Sequence, residues 1–332
     1  MKKILFMATL LICQLAAIAQ QNTLNLMPLP KQLTVNTGKN HISNKFTVSV
    51  QGNATDTVLY KAVNRAYQAL NRKTGLVFRQ QYITPVNKGD SASLVVNVKT
   101  QAMAGICVDE NYSLKINERQ IVLNAATTIG ALRGLQTIIQ LCDKDQNGYY
   151  FPLVGIDDSP RFKWRGLMID VARHFISYEE MKKNIDAMAA VKMNVLHWHL
   201  TDDEGFRVES KVFPLLHQKG SNGDYYTQAQ LKDIVKYAAD RGVIVVPEFD
   251  MPGHAQSWFA GYPELASQPG PYHPGPRMQW QKEHPEVKVP QGKTIADIIA
   301  NMVGPTFDPT NETVYTFLDK FVTEMTTIFP AG

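Results

Sequence analysis

The alternation of strand-like and helix-like segments after residue 160 constrains the fold more than any other feature of the sequence. RGLMIDVA (165–172), NVLHWHLTD (194–202) and VIVVPEFD (243–250) are apolar runs rich in branched residues, and each precedes a segment with helical periodicity. Strands that alternate with helices form parallel sheets, because each helix returns the chain to the same edge. The pattern predicts a βαβαβα arrangement.

The predicted helices have start signals and one apolar face each. Ser177 and Glu180 have the spacing of a capping box, as do Thr227 and Gln230. The apolar faces consist of Met181, Ile185, Met188 and Ala189, then Leu231, Ile234, Val235 and Ala238, then Val314, Phe317, Leu318, Phe321 and Met325. Each helix can therefore pack against a sheet through one face.

Two parallel architectures fit this pattern. A doubly wound nucleotide-binding sheet requires a glycine-rich turn after its first strand, whereas VARHFIS (171–177) contains no glycine. A (β/α)8 barrel places its active residues at the C-terminal ends of its strands. Polar residues occur at those ends here, namely Asp170, Arg173, His197, His199, Asp202, Glu248 and Asp250. The sequence therefore favours an α/β fold with about the first three βα units of a barrel.

The first half of the chain has the pattern of a small α+β domain. Alternating apolar and polar residues predict strands at FTVSV (46–50), SLVVNV (93–98), YSLKI (112–116) and QIVLNA (120–125). Helical spacing occurs over residues 59–70, with Gly75 as a stop signal, and over 127–142. We expect helices to cover at least one face of this sheet.

Two prolines mark the expected domain boundary. Pro152 and Pro160 lie in FPLVGIDDSPRF, after which the pattern changes from hairpins to strands alternating with helices. We therefore expect an α+β domain over residues 20–155 and a partial barrel over residues 156–332.

The N-terminus has the features of a secretory signal. Two lysines precede an apolar run over residues 4–12, and Ala17-Ile18-Ala19 provides a small-residue cleavage pattern. Residues 1–19 are therefore predicted to be a signal peptide, and the protein to be secreted or periplasmic. A lipoprotein is less favoured because Ile12 precedes Cys13, where a small residue is required.

Charge and cysteine content limit the classes of partner. The chain has 34 basic and 30 acidic residues, a net charge of +4, and loss of the two lysines of the signal leaves 4 − 2 = +2. This balance indicates neither nucleic acid nor an anionic membrane as partner. No later apolar run approaches the ~20 residues of a membrane-spanning helix. Cys107 and Cys142 have no CxxC spacing, so a disulfide is permitted but not implied.

The segment HWHLTDDEGFR (197–207) concentrates candidate functional residues. Residues two apart in a strand face the same way, so His197 and His199 share a face. Such a pair can bind a metal, transfer protons or form structural hydrogen bonds, and a metal-dependent barrel hydrolase is the alternative function. Asp202 closes the strand, whereas we interpret Asp203 as a cap of the turn before Gly205 and Glu204 as solvated surface.

Residues after the first and third predicted strands complete the candidate site. Arg173 offers a planar fork for hydroxyls or a carboxylate, or alternatively an ion pair with Asp170 or Asp202. In EFDMPGH (248–254) the Pro-Gly turn can fold His254 over the barrel mouth. The aromatic residues Phe206, Trp258 and Trp280 could form a sugar platform, although such residues are more often core.

Three motifs resemble those of the family 20 glycoside hydrolases, chiefly β-N-acetylhexosaminidases. They are WRGLMIDVARHF (164–175), NVLHWHLTDDEGFR (194–207) and PEFDMPGH (247–254), and GALRGLQTIIQL (130–141) resembles the end of that family's N-terminal domain. The resemblance covers roughly residues 25–332. It implies an exported enzyme that acts on glycans ending in β-linked GlcNAc or GalNAc, with no metal and no cofactor.

The resemblance also implies a substrate-assisted retaining mechanism, in which the substrate's own acetamido oxygen attacks the anomeric carbon. Arg173 matches the arginine that binds the O3 and O4 hydroxyls. Asp202 and His254 match a relay that positions the catalytic acid. Asp250 matches a supporting acidic residue, and His199 lies beneath the site.

The family's catalytic acid lies in a Gly-Gly-Asp-Glu motif that this sequence does not contain. That motif would follow within about ten residues of FPAG (329–332). We therefore expect the chain to be a fragment of a longer product, without hexosaminidase activity of its own. A non-catalytic carbohydrate-binding remnant is a further alternative.

Overall fold

The structure is a computed structural model that describes residues 24–84, 91–275 and 305–330. The chain divides into two compact units, one of Met1–Gln101 with Asp109–Arg161 and the other of Ala102–Val108 with Phe162–Gly332. The predicted signal peptide and Trp280 lie outside the described residues.

The first unit is a mixed sheet with two helices. Its strands are β1 (Gln32–His41), β2 (Val48–Gln51), β3 (Leu94–Thr100), β4 (Tyr112–Ile116), β5 (Ile121–Thr127), β6 (Asp143–Asp145) and β7 (Gly148–Asp158). The strand order is β1-β7-β4-β5-β3-β2, with β6 paired to β7. Strands β2, β3 and β5 pair in parallel, and the other pairs are antiparallel. All four predicted strands are present.

The two helices of this unit, α1 (Thr57–Thr74) and α2 (Thr128–Leu141), form where the apolar spacing predicted them. The Asp56 carboxylate accepts the Leu59 N–H at the start of α1. Gly75 ends that helix with a left-handed φ of 68°, which glycine adopts without strain. The predicted stop at Gly75 is confirmed.

Strand β7 differs from the sequence-based boundary. It runs to Asp158, so residues 155 and 156 lie inside a strand, and the first compact unit ends at Arg161. Of the two prolines that indicated a break, Pro152 lies within β7, opposite Lys39 of the edge strand β1, and Pro160 follows the end of β7. Strands β1, β6 and β7 were not predicted.

The second unit contains the predicted parallel strands. They are β8 (Gly166–Asp170), β9 (Val195–Asp202) and β11 (Ile244–Phe249), and a short strand β10 (Gly205–Phe206) pairs with the end of β9. Its helices are α3 (Tyr178–Ala190), α4 (Leu215–Gly220), α5 (Gln228–Ala239), α6 (Gln256–Phe259) and α7 (Glu312–Thr326), and Pro263–Leu265 is a 3-10 turn. Strand β9 lies between β8 and β11, parallel to both.

The two faces of β9 have different roles. Leu196, Trp198 and Leu200 are fully buried in a core shared with the helices. The alternate residues His197 and His199 point to the opposite face, where Asp170 and Glu248 are the register partners of His199 on the two neighbouring strands. Polar groups from three strands therefore meet beside the ends of those strands.

The predicted helix starts in this unit are also present. Ser177 accepts the Glu180 N–H at the start of α3. Thr227 and Gln230 form a reciprocal capping box at the start of α5. Within the described ranges, none of the helices combines the length and apolarity needed to cross a bilayer. Cys107 and Cys142 are both free thiols.

Candidate active site

Asp202 is the centre of the candidate site. Its side chain is 1% exposed and contacts an arginine and two histidines. Oδ2 is 2.5 Å from Nη2 of Arg173 and 3.0 Å from Nε2 of His199, and Oδ1 is 3.0 Å from Nδ1 of His254. The Asp203 N–H also donates to Oδ1 at 2.7 Å. A buried carboxylate surrounded in this way is fixed in position.

Arg173 bridges two of the strand ends. Oδ1 of Asp170 accepts the backbone N–H groups of Ala172 and Arg173 at 3.0 Å, and Oδ2 is 2.6 Å from Nη1 of Arg173. The guanidinium therefore lies between Asp170 and Asp202, so both predicted ion pairs form together. Because the side chain remains 45% exposed, it retains donors that can meet a ligand.

Arg207, which the sequence did not single out, holds the backbone before Arg173. Its Nε and Nη2 donate to the carbonyls of Val171 and Ala172 at 3.0 and 2.6 Å. Nη1 donates to the carbonyls of Ser221 and Asp224 at 2.6 and 3.1 Å. Gly205 makes room for this side chain, because a Cβ atom there would lie 2.2 Å from Cζ of Arg207.

His254 reaches the site through the predicted Pro-Gly turn. It has a left-handed φ of 56°, which is uncommon for a side-chain-bearing residue and turns its ring toward Asp202. The following helix α6 is bound to the same region, because Ser257 Oγ donates to the Asp202 carbonyl at 2.6 Å. The ring is 44% exposed and remains accessible from outside.

The histidine pair on β9 converges on a carboxylate. Oε2 of Glu248 is 2.5 Å from Nε2 of His197 and 3.0 Å from Nδ1 of His199. His199 therefore lies between Glu248 and Asp202, which gives one continuous line of charged contacts. The sequence placed Glu248 at a strand end but did not predict this bridging position.

Charges in the site shift two pKa values strongly. Burial disfavours the anion of Asp202, but His199, the Asp203 N–H and His254 outweigh it and lower the pKa of Asp202 to about 2. Burial also disfavours the imidazolium of His199, but the carboxylates of Asp202 and Glu248 raise its pKa to about 9. At neutral pH Asp202 is therefore an anion and His199 a cation.

The structure adds a contact for Asp203 and corrects the interpretation of Glu204. Asp203 is buried and its Oδ1 accepts the Gln256 N–H at 3.1 Å, so it binds the start of α6. Glu204 is half-buried, 3.7 Å from Nε of Arg173, and burial raises its pKa, so it is not plain solvated surface. The sequence did not predict the contact of Asp203 with α6 or the half-buried position of Glu204 beside Arg173.

Asp250 lies beside the central carboxylate. Its N–H donates to Oγ1 of Thr201 at 3.1 Å, and burial, with a contribution from Asp202, raises the pKa of its side chain.

Two groups of described residues bring potential metal ligands within 4.8 Å of one another. They are His199 with Asp202 and Asp250, and Asp202 with Asp203 and His254. His197 belongs to neither group, so the geometry of the described residues does not support the alternative in which His197 and His199 bind a metal together.

The two aromatic candidates within the described residues are core residues. Phe206 and Trp258 are fully buried and pack edge-to-face with ring centroids 4.8 Å apart. Trp258 also packs against Phe321 of α7 at 4.8 Å. Phe206 and Trp258 therefore pack in the core beneath the strand ends and α6, and they do not form a sugar platform.

Comparison with known proteins gives a consistent assignment. A family model described as glycosyl hydrolase family 20, catalytic domain, matches residues 162–332, and one described as beta-acetyl hexosaminidase like matches residues 26–141. The chain belongs to glycosyl hydrolase family 20. The resemblance inferred from the three sequence motifs is therefore confirmed.

Relatives of this family 20 chain include curated and solved proteins. A beta-hexosaminidase of Porphyromonas gingivalis is 34% identical over 276 residues, covering 78% of this chain and 34% of that protein. Beta-hexosaminidase subunit A1 of Dictyostelium discoideum is 31% identical over 333 residues, covering 99% of this chain and 55% of that protein. The chain thus spans about a third to a half of the length of these relatives.

The solved structure of a chitobiase from Flavobacterium johnsoniae matches with a TM-score of 0.82 at 38% identity, over 94% of this chain and 44% of that one. An N-acetyl-beta-hexosaminidase from Streptomyces plicatus matches with a TM-score of 0.73 at 27% identity, over 92% and 57%. The predicted fold is confirmed: a small α+β domain precedes three βα units of a (β/α)8 barrel. The catalytic roles of Asp202, His254, Arg173, Asp250 and His199 stay predictions.

Proposed function

We propose that the protein containing this sequence is a β-N-acetylhexosaminidase that removes terminal GlcNAc or GalNAc from the non-reducing ends of glycans. The observation that supports this most directly is the convergence of Arg173 and His254 on the buried Asp202. A partly exposed arginine beside a fixed carboxylate suits the recognition of sugar hydroxyls. The β-hexosaminidase relatives support the reaction class.

In this proposal the residues of the chain orient the substrate and the acid. Arg173 donates to the O3 and O4 hydroxyls of the terminal sugar. Asp202 holds His254 through Nδ1, so the rest of the exposed ring can contact a catalytic acid. His199, kept cationic by Asp202 and Glu248, stabilises the Asp202 anion from below. The substrate's acetamido oxygen acts as the nucleophile.

The acid itself belongs to a motif, Gly-Gly-Asp-Glu, that the 332 residues do not contain. We expect the purified 332-residue chain to show no turnover of a chromogenic β-GlcNAc substrate above background. A longer reading-frame product that includes the motif should turn over this substrate, and Arg173→Ala in that product should lower kcat/KM by about 10²-fold or more.

Two outcomes of this assay would contradict the proposal in different ways. Turnover by the 332-residue chain would overturn its predicted inactivity. An extended product that folds but does not cleave either a GlcNAc or a GalNAc substrate would overturn the proposed activity. Lys183→Ala, an exposed substitution on α3, serves as the control and should retain kcat/KM.

Export is the second part of the proposal. The N-terminal lysines, the apolar run and Ala17-Ile18-Ala19 support cleavage after Ala19. Mass spectrometry of the protein from the producing cell should therefore find a mature N-terminus at Gln20. An intact N-terminus in the exported protein, or retention of all of it in the cytoplasm, would contradict this part.

A further inference from the structure

A row of polar residues crosses the sheet of the first unit. Directly paired positions on six strands carry Gln32 (β1), Asp157 (β7), Ser113 (β4), Asn124 (β5), Asn97 (β3) and Gln51 (β2), which we call the polar row. Residues paired in register point to the same face of a sheet. Neighbouring strands are about 4.8 Å apart, so the row is about 24 Å long.

The polar row lies on the face that the helices do not cover. Leu123, next to Asn124 in β5, points toward α2, because a Cβ atom on Gly134 of that helix would lie 2.3 Å from its Cδ1. Leu114, next to Ser113, is likewise buried. Since successive side chains of a strand alternate, Asn124 and Ser113 point away from the helices, and Asn124 is exposed.

Hydrogen bonds order the middle of the row. Nδ2 of Asn97 donates to Oδ1 of Asn124 at 2.8 Å, and Nδ2 of Asn124 donates to Oγ of Ser113 at 3.5 Å. A primary amide has two donor hydrogens and an acceptor oxygen with two lone pairs. These contacts therefore use part of the capacity of each amide and hold the remaining donors and acceptors in fixed positions.

A pocket of about 500 Å³ opens over one end of the row. Gln32, Asp157, Ser113 and Asn124 of the polar row contribute to its wall. The wall also carries two ammonium groups, those of Lys31 and Lys99, and three carboxylates, those of Asp109, Asp157 and Asp158. The structure thus provides an open, polar depression at one end of the polar row and a linear continuation along it for an elongated ligand.

The chemistry of the pocket and row selects the class of ligand. An apolar ligand would bury charged and amide groups without partners, which is costly. Three carboxylates against two ammonium groups disfavour a polyanion such as a nucleic acid. A chain of hydroxyl and acetamido groups donates and accepts at every unit, as do the amides of the row. The match is an uncharged oligosaccharide of amino sugars in their N-acetylated form.

We propose that the polar row and its pocket bind an oligosaccharide of β-linked N-acetylhexosamine, as a site separate from the candidate active site. The choice of sugar rests on the proposed function, whereas the site rests on the geometry of the first unit. A second site on the same molecule keeps a released glycan near the enzyme and raises the effective concentration of chain ends.

Isothermal titration calorimetry of the 332-residue chain with chitopentaose, a β-1,4-linked GlcNAc pentasaccharide, tests this site without requiring turnover. We expect saturable binding to the unaltered chain. Ser113→Tyr places a bulky but strand-compatible side chain in the middle of the row, and N97A/N124A removes two of its amides. Each should weaken binding at least tenfold. Asn147→Ala, in the exposed turn between β6 and β7, should leave binding unchanged.

The outcomes separate this proposal from the proposed function. Far-UV circular dichroism and a urea midpoint close to those of the unaltered chain are required of both row variants. Absence of binding to the unaltered chain, or row variants that bind as tightly as Asn147→Ala, would overturn the polar-row site. Binding lost in Arg173→Ala but kept in the row variants would place the oligosaccharide in the barrel and also overturn it. Failure of the proposed function appears separately, in the turnover assay.

Discussion

Replacing Asp202 with alanine is expected to lower the free energy of unfolding of this chain by about 3 to 5 kcal/mol. The variant leaves the buried His199 imidazolium without one of its two neighbouring carboxylates and removes the 2.5 Å ion pair of Arg173. It also leaves the Asp203 N–H without its acceptor. Urea unfolding followed by tryptophan fluorescence measures the loss, because Trp198 and Trp258 are fully buried in the same unit.

The effect of Asp202→Ala depends on pH in a defined direction. The pKa of Asp202 is lowered to about 2, so its contribution is present above about pH 4 and is lost as the pH falls through 2. The pKa of His199 is raised to about 9, so its contribution is present below about pH 6.5 and is lost as the pH rises through 9. The difference in free energy of unfolding between the unaltered chain and Asp202→Ala should therefore be largest between about pH 4 and 6.5.

Asp186→Ala is the matched control for Asp202→Ala. Asp186 also pairs with an arginine, Arg241, but its side chain is 53% exposed. Because water screens such pairs, this change should cost less than about 1 kcal/mol. Equal losses for the two alanine variants at pH 6 would show that the buried network contributes no more than an ordinary surface ion pair.

Glu324→Ala is expected to destabilise the chain by about 3 kcal/mol or more. The carboxylate projects from α7, is 9% exposed, and accepts from Ser210 Oγ at 2.6 Å, the Lys211 N–H at 2.6 Å and Gln228 Nε2 at 2.8 Å. Its removal leaves donors of the segment after β10 buried without an acceptor. The urea midpoint of the variant, compared with that of the unaltered chain, measures the effect.

Glu324→Gln distinguishes loss of the acceptor from loss of packing. The substitution keeps the size of the side chain but turns one oxygen into a donor, which then faces the donors of the same segment. It should show a substantial part of the alanine effect. Glu312→Gln, in the exposed first turn of the same helix, should change stability by less than about 0.5 kcal/mol. If Glu324→Gln were as stable as Glu312→Gln, the contacts of the Glu324 carboxylate with its donors would make no net contribution to stability.

Local signals in the sequence were sufficient for much of the fold. Gly75 ends α1 and Thr227 with Gln230 starts α5, because these residues act on backbone groups within one helical turn. Strand β1 lacked such a signal, since it is an edge strand whose side chains are mostly exposed and whose register shifts between Asn36 and Lys39. Strand β7 was not predicted because Pro152 indicated a break. The structure places this proline where the register between β1 and β7 shifts.

The candidate site shows a similar division. Parallel strands end at one edge, so the convergence of Asp202, Arg173 and His254 could be inferred from topology. The bridging position of Glu248 depends on its exact register beside His199, and the role of Arg207 depends on carbonyls from two separate loops. Neither is encoded in a short motif, so sequence reasoning did not find them.

The close approach of Gly205 to Arg207 couples these two positions in any mutational path. An alanine at position 205 alone must displace the guanidinium and leave the carbonyls that it binds without this donor, whereas replacement of Arg207 removes the three atoms nearest to that Cβ. The two substitutions are therefore epistatic, and their separate costs should not add. In a library drawn from this segment, we expect side chains at position 205 to be enriched in chains in which Arg207 has also been replaced.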